Sequence, residues 1–310
     1  MKILGIETSC DDTAVGIVED GRNIISNIVF SQADMHSEFG GIIPEVASRE
    51  HIVKIIPGIN KALNEARMNL NDIDAVSVTY GPGLAGSLLI GVNTAKSMAI
   101  ASGLPFIGIN HIEGHIYATC LEDIELKEKP GFPIISLVVS GGHTDLILMK
   151  GHGDFQIIAR SRDDAAGEVF DKVARVLGLG FPGGPEIQKI SESGNLLDPA
   201  FPRPKVKNSM DFSFSGLKTS VVRRAESMGV YPKKDDNDVD QKIADIAKSF
   251  QEAIVDTIVK NTINAVKRFK AKGLIIGGGV ASNQLLRNVF KKESPIELLI
   301  PRPSLCTDNG

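Results

Sequence analysis

The stretch Ile3-Leu4-Gly5-Ile6-Glu7-Thr8-Ser9-Cys10-Asp11-Asp12-Thr13-Ala14-Val15-Gly16-Ile17-Val18-Glu19 decides the architecture. Residues 3–8 read as a buried strand, 14–19 as a second, Asp20-Gly21 as a hairpin turn and 24–30 as a third strand. The order returns in the second half: 134–139 is apolar, Ser140-Gly141-Gly142-His143 makes a turn, 145–149 is a strand, 151–153 turns, and 155–159 is a third strand. Ser9 with Thr13 and Ser140 with Thr144 share one offset, so the pattern reads as an internal duplication. After each such unit helices and strands alternate. The first half has helices at 45–66 and 84–101 with strands at 75–80 and 106–110. The second has helices at 166–178, 184–193, 239–271 and 284–291 with strands at 274–276 and 296–300. The implied class is α/β with two duplicated domains, 1–127 and 130–310. The charged, then Pro- and Gly-rich run 122–133 serves as linker. A second loop-rich stretch, 195–215, carries Pro199, Pro202 and Pro204 and reads as covering a cleft or contacting a partner.

A length of 310 residues fits two domains. With 42% hydrophobic and 23% charged residues the chain is globular, and no uncharged apolar run is long enough to span a bilayer. Met1 to Glu7 enters a strand at once and leaves no room for a signal peptide, so the expected compartment is the cytoplasm, without a membrane partner. Three scattered cysteines, Cys10, Cys120 and Cys306, support neither a disulfide framework nor a zinc ribbon. A net charge of −4 gives no global attraction to nucleic acid, so any RNA must meet a local basic surface. Basic residues gather at Arg203, Lys205, Lys207, Lys218, Arg223 and Arg224, and again at Lys267, Arg268, Lys270 and Lys272. Solvated faces are the default reading of both groups, although both would also serve RNA phosphates.

His111 and His115 lie in Asn110-His111-Ile112-Glu113-Gly114-His115, at the start of a helix that follows an apolar run. Spacing of four puts both imidazoles on one helical face, where they can share a metal or simply pack. The metalloprotease pattern places its general-base Glu directly after the first His. Here Ile112 holds that place and Glu113 sits one step round, so peptide hydrolysis is not implied. A third ligand must come from elsewhere. Asp308, after the strand at 296–300, is a candidate; helix capping is the alternative. A His-His-Asp set with open positions suits Fe²⁺ or Zn²⁺.

Residues 9–13 and 140–144 are turns that offer backbone N–H groups and hydroxyls to an anion, or that need Gly and Asp only for turn geometry. Their matched placement favours nucleotide phosphate binding. Gly277-Gly278-Gly279-Val280-Ala281-Ser282-Asn283 leaves a strand for a helix. Its glycines let backbone lie against an adenine or ribose, and Asn283 can meet the base, although a plain strand-to-helix turn explains the run as well. Phe181-Pro182-Gly183-Gly184-Pro185 is a similar loop, and Asp171 on the preceding helix is either a ribose contact or a solvated charge. The polar segment Gln32, His36, Glu38, Gly40-Gly41, Pro44, Glu45, Ser48, Arg49, His51 reads as cleft lining or as a surface loop with a capped helix.

Together these motifs, with Phe212-Ser213-Phe214-Ser215-Gly216-Leu217-Lys218 and Cys306-Thr307-Asp308-Asn309-Gly310, closely resemble the tRNA N6-adenosine threonylcarbamoyltransferases, once described as sialoglycoprotein endopeptidases. The resemblance runs essentially end to end, and it implies an actin-like ATPase, sugar kinase and Hsp70 fold, two duplicated domains around a central cleft. It implies transfer of the threonylcarbamoyl group from threonylcarbamoyl-adenylate, made by a separate enzyme, to N6 of adenosine 37 in tRNAs reading ANN codons, with release of AMP. By the same resemblance His111, His115 and Asp308 hold one divalent metal, Fe²⁺ or Zn²⁺, with Mg²⁺ accompanying nucleotide. Val138, Val139, Ser140, Gly141, Gly142, Asp171, Gly184 and Asn283 hold the adenylate, and Asp11 matches the acidic residue near the reacting centre. Implied partners are tRNA, an actin-like paralogue and a small ATPase, with the 45–66 helix as a docking surface. Two departures stand out: Gln188 where many relatives carry Asp, and family members that usually continue past Gly310 into a closing helix. A kinase or ATPase of this fold would turn over ATP and has no use for the histidine pair, and a non-catalytic scaffold would tolerate its loss.

Overall fold

The computed structural model describes residues 1–122, 126, 129–232 and 239–310. They fall into two compact units, Met1–Glu125 with Thr307–Gly310, and Leu126–Cys306. Within the expected linker, 123–125 and 127–128 lie outside the described residues. The last four residues group with the first unit, which a single break near 127–130 does not anticipate. The physical reason is local: Asp308 meets the histidine pair of the first unit, and Asn309 bonds to Asn27 there.

The first unit runs β1 (Lys2–Glu7), β2 (Thr13–Glu19), β3 (Asn23–Phe30), α1 (Ala33–Ser37), α2 (Pro44–Ala66), β4 (Ala75–Gly81), α3 (Ala85–Ser102), β5 (Phe106–Asn110) and α4 (His111–Tyr117). Its sheet has the order β3-β2-β1-β4-β5. Short turns keep β1, β2 and β3 antiparallel, whereas β4 and β5 pair in parallel because α2 and α3 supply the crossovers that parallel neighbours require. Leu4 and Ile6 of β1, Val15 and Ile17 of β2, and Val76 and Val78 of β4 bury against Ile55 and Ile59 of α2. Pro44 opens α2, at a position where a helix has no use for the N–H that proline lacks.

The second unit repeats the plan with β6 (Ile134–Val139), β7 (Thr144–Gly151), β8 (Asp154–Arg160), α5 (Ala166–Val176), α6 (Gly183–Ser191), α7 (Ser215–Ser227), α8 (Val239–Phe269), β9 (Gly273–Gly277), α9 (Gln284–Glu293) and β10 (Glu297–Leu299). The order β10-β9-β6-β7-β8 is the first sheet's order with each strand replaced by its counterpart. Every residue of β6 and β9 is buried, as parallel neighbours covered on both faces require. Phe250 of α8 meets Phe170 of α5 edge to face, with ring centroids 5.2 Å apart.

Helix α7 has no counterpart in the sequence expectations. Its apolar stripe, Leu217, Val221 and Ala225, is one residue wide between Lys218, Arg223 and Arg224, and only burial in the second core shows which face matters. Among the described residues no helix is long and apolar enough to cross a membrane.

Candidate metal centre and active-site loops

Strand β5 passes into α4 without a loop, and Asn110 makes the junction by accepting the N–H of Ile112 at 2.9 Å. His111 is thereby the first residue of α4 and His115 lies one turn on; both are buried, with ring centroids 4.6 Å apart. Asp308 completes the group. Its Oδ1 lies 3.4 Å from His115 Nε2 and 3.8 Å from His111 Nε2, and one donor atom from each of the three falls within 4.8 Å of the others.

Buried His115 Nε2 faces Asp308 Oδ1 at 3.4 Å but makes no hydrogen bond among the described residues. An imidazole nitrogen sealed from water without a partner costs free energy, and a cation removes that cost. Two imidazoles and a carboxylate are donors that borderline divalent metals accept. The cluster is therefore compatible with a single metal site.

Glu7, at the end of β1, is the residue that sequence reasoning missed. It is buried, and its Oε2 accepts from His111 Nδ1 at 3.1 Å and from the Thr79 hydroxyl, while Oε1 accepts the Ser9 N–H. A carboxylate on Nδ1 fixes the tautomer that leaves Nε2 as a lone-pair donor facing Asp308. Burial lowers the His111 pKa, but the Glu7 bond and the Asp308 charge outweigh it and leave the net shift upward. The signal in the sequence was a carboxylate closing an otherwise apolar strand.

Asp11 sits in the turn between β1 and β2. Burial raises its pKa, and so does the charge of Asp308. Neighbouring Asp12 is pushed up to about 7 by burial and by Asp11, and its Oδ1 is buried without a hydrogen bond among the described residues. Cys10 is also raised by burial and by the same carboxylates, so its thiol stays protonated. His51, fully buried on α2, clamps this turn from behind. Its Nε2 donates to the Cys10 carbonyl at 3.1 Å, which leaves Nδ1 to accept from the Thr13 hydroxyl at 2.8 Å. His36 is likewise fully buried, with Nε2 3.2 Å from Gln32 Oε1. At these two histidines the 32–51 segment is neither cleft lining nor surface loop, but internal support.

In the second unit Val138 and Val139 are buried in β6, and the turn that follows brings Ser140, Gly141 and Gly142 beside the start of α5, where Gly167 N–H bonds the Ser140 carbonyl at 3.1 Å. The Ser140 N–H is already given to His143 O at 2.8 Å, so of the three donors expected for a phosphate only those of Gly141 and Gly142 lack a partner among the described residues. Asp171 is not simply a solvated charge: its Oδ1 accepts the Gly183 N–H at 2.7 Å and ties α5 to the first turn of α6. The space a side chain would occupy at Gly184 is open. Asn283 caps α9 by accepting the Leu286 N–H at 3.0 Å and donates to Gln251 Oε1 at 2.7 Å, which leaves one amide hydrogen for a ligand. Gln188 accepts the Gln284 N–H at 2.7 Å. Arg203, Lys218 and Arg224 of the first basic group are engaged internally, with Asp256, Asp164 and the Pro199 carbonyl; Lys267, Arg268, Lys270 and Lys272 are exposed.

Two solved structures share the fold at low identity. HypF from T. kodakarensis superposes with a TM-score of 0.65 at 14% identity, over 100% of this chain and 46% of its own. Component A of the (R)-2-hydroxyglutaryl-CoA dehydratase of Acidaminococcus fermentans gives 0.54 at 16%, over 97% of this chain and 91% of its own. The fold is thus the actin-like ATPase fold. At the sequence level, the tRNA N6-adenosine threonylcarbamoyltransferase of Dehalococcoides mccartyi strain BAV1 is 51% identical over 311 residues, covering all of this chain and 90% of that relative. The protein of the same description from Thermomicrobium roseum is 47% identical over 325 residues, covering all of this chain and 89% of its own length. The family model described as tRNA N6-adenosine threonylcarbamoyltransferase matches residues 23–310. The chain, with its His-His-Asp cluster and paired hairpin turns, belongs to the tRNA N6-adenosine threonylcarbamoyltransferase family, a family of transferases.

Proposed function

We propose that this protein transfers the threonylcarbamoyl group of threonylcarbamoyl-adenylate to N6 of adenosine 37 in tRNAs reading ANN codons and releases AMP, in the cytoplasm. The observation that carries the reading is the cluster of buried His111 and His115 with half-buried Asp308 in a chain of this family, because an actin-like kinase or ATPase makes no use of it. These three residues would hold Fe²⁺ or Zn²⁺, with Mg²⁺ accompanying nucleotide. When bound, the divalent ion supplies Lewis-acid polarisation and a fixed positive charge for anionic oxygens.

In the transfer the N6 amine forms a bond to the carbamoyl carbon, the bond from that carbon to the phosphate oxygen breaks, and AMP departs. Asp11 takes the proton lost by the amine. Its raised pKa makes it a better proton acceptor than an ordinary carboxylate. An exocyclic adenine amine is nearly non-basic, so most of the barrier reduction comes from aligning the two reactants. Val138, Val139, Asp171, Gly184 and Asn283 frame the adenylate, and the N–H groups of Gly141 and Gly142, not that of Ser140, bind its phosphate.

The proposed partners are tRNA, an actin-like paralogue and a small ATPase. Ile52, Val53 and Ile56 leave an apolar strip exposed on α2, suited to a helical partner. The deciding experiment is mass spectrometry of tRNA nucleosides after incubation with the adenylate, metal and partner proteins, alongside a phosphate-release assay. Expected are threonylcarbamoyladenosine from the natural chain and a loss of at least about 100-fold for His111→Ala and Asp11→Ala. Full transfer by His111→Ala would reject the metal assignment, full transfer by Asp11→Ala its role as base, and ATP turnover without tRNA modification the whole reading.

A further inference from the structure

One register line crosses the first unit's sheet through Ser77 of β4, Gly5 of β1, Gly16 of β2 and Asn27 of β3. Residues on one such line present their side chains to the same face, so the adjacent glycines leave a gap in it. The backbone of Gly310 occupies that gap. A Cβ at Gly5 would stand 2.9 Å from the Gly310 carbonyl carbon, and one at Gly16 would stand 2.7 Å from its oxygen. At the end of the line Asn27 Nδ2 donates to Asn309 Oδ1 at 2.6 Å. Neither Gly5 nor Gly16 has a positive φ, so it is the approaching chain and not the strand backbone that requires glycine there. Asp308, the residue just before the seated pair, is the one that faces His111 and His115.

We propose that Gly5, Gly16 and Asn27 are positioning residues. They form a slot in the sheet that seats Asn309 and Gly310 and so holds the Asp308 carboxylate against the two histidines. The inference rests on the reading of His111, His115 and Asp308 as metal ligands. None of the slot residues belongs to the ligand set, yet they supply the order that a carboxylate arriving from the far end of the sequence lacks. A ligand seated in advance loses less conformational freedom when the ion arrives.

The test is zinc affinity of the whole chain, measured by chelator competition with Zn²⁺ alone, for the natural protein, Gly16→Ala, Asn27→Ala and Asp308→Ala, with each melting temperature recorded in EDTA. Gly16→Ala is expected to weaken zinc by about 10-fold or more and Asn27→Ala by several-fold. The metal-free melting temperature of both should change little, because alanine suits a strand backbone. Asp308→Ala sets the floor. If both slot variants bind zinc like the natural chain while Asp308→Ala is weakened, the slot is rejected and the ligand set stands. If Asp308→Ala itself binds normally, the ligand set fails. Should Gly16→Ala not fold, Asn27→Ala decides by the same criterion.

Discussion

Single side chains decide the chemistry of the first unit, and Glu7 is the clearest of them. Its two oxygens accept from the Ser9 N–H, the Thr79 hydroxyl and His111 Nδ1, so one buried carboxylate sets the turn, the neighbouring strand and a candidate ligand together. Glu7→Gln keeps the volume but presents an amide donor to groups that already donate. The expected result is a loss of about 10- to 100-fold in zinc affinity. In the metal-free protein the His111 pKa should fall, because the Glu7 bond and charge, which together with Asp308 outweigh its burial, are weakened. Chelator competition and histidine NMR titration check the two parts, and an unchanged zinc affinity would remove Glu7 from the support of the site. The histidine pair was legible in the sequence because four-residue spacing on a helix is a local property. Glu7 was not, since two of its partners, Thr79 and His111, come from distant segments.

Elements are held by contacts that cross long stretches of sequence, and α7 shows it best. The helix has no side-chain cap of its own; Asp163, from the loop after β8, accepts the N–H groups of Phe214 and Ser215 and the hydroxyls of Ser213 and Ser215. Burial alone would raise the Asp163 pKa, but these bonds outweigh it and hold the carboxyl below its usual value. A depressed folded-state pKa means a contribution that is complete above the ordinary carboxylate value and is lost as pH falls through the folded one. Asp163→Ala should therefore destabilise the protein by about 1 kcal/mol at neutral pH. The difference from the natural chain should shrink in acid, below about pH 4. Urea melts at pH 7 and pH 3 measure it, and an equal difference at both would show that the charge does not matter. The loop-rich run 195–215 was legible from its prolines, but α7 after it resisted sequence reading for the same reason: its order comes from Asp163, Asp164 and the core, not from local propensity.

At the scale of the whole molecule, the two units share one strand order and each has its own core, yet they carry different residues at corresponding turns. The metal reading assigns the ion to the first unit alone. Adding Zn²⁺ at about 100 times its dissociation constant should stabilise whatever region binds it by about 2.7 kcal/mol. In hydrogen exchange the slowing is expected in β1, β2, β5 and α4, and slowing centred instead on β6 to β9 would relocate the ion. By itself the sequence determined the α/β class, the duplication, most elements and the helical histidine pair. Periodicity, turn chemistry and i to i+4 spacing are all set by neighbours along the chain. Only the tertiary structure decided that Asp308 returns to the first unit, that Glu7 orients His111, that His51 clamps the Asp11 turn, and that Ser140, Asp171 and Asn283 already hold internal bonds. Apart from the Ser140 bond to His143, which is local to its turn, those contacts join residues from about ten to nearly two hundred positions apart, and which donor meets which acceptor is fixed only when the sheets assemble.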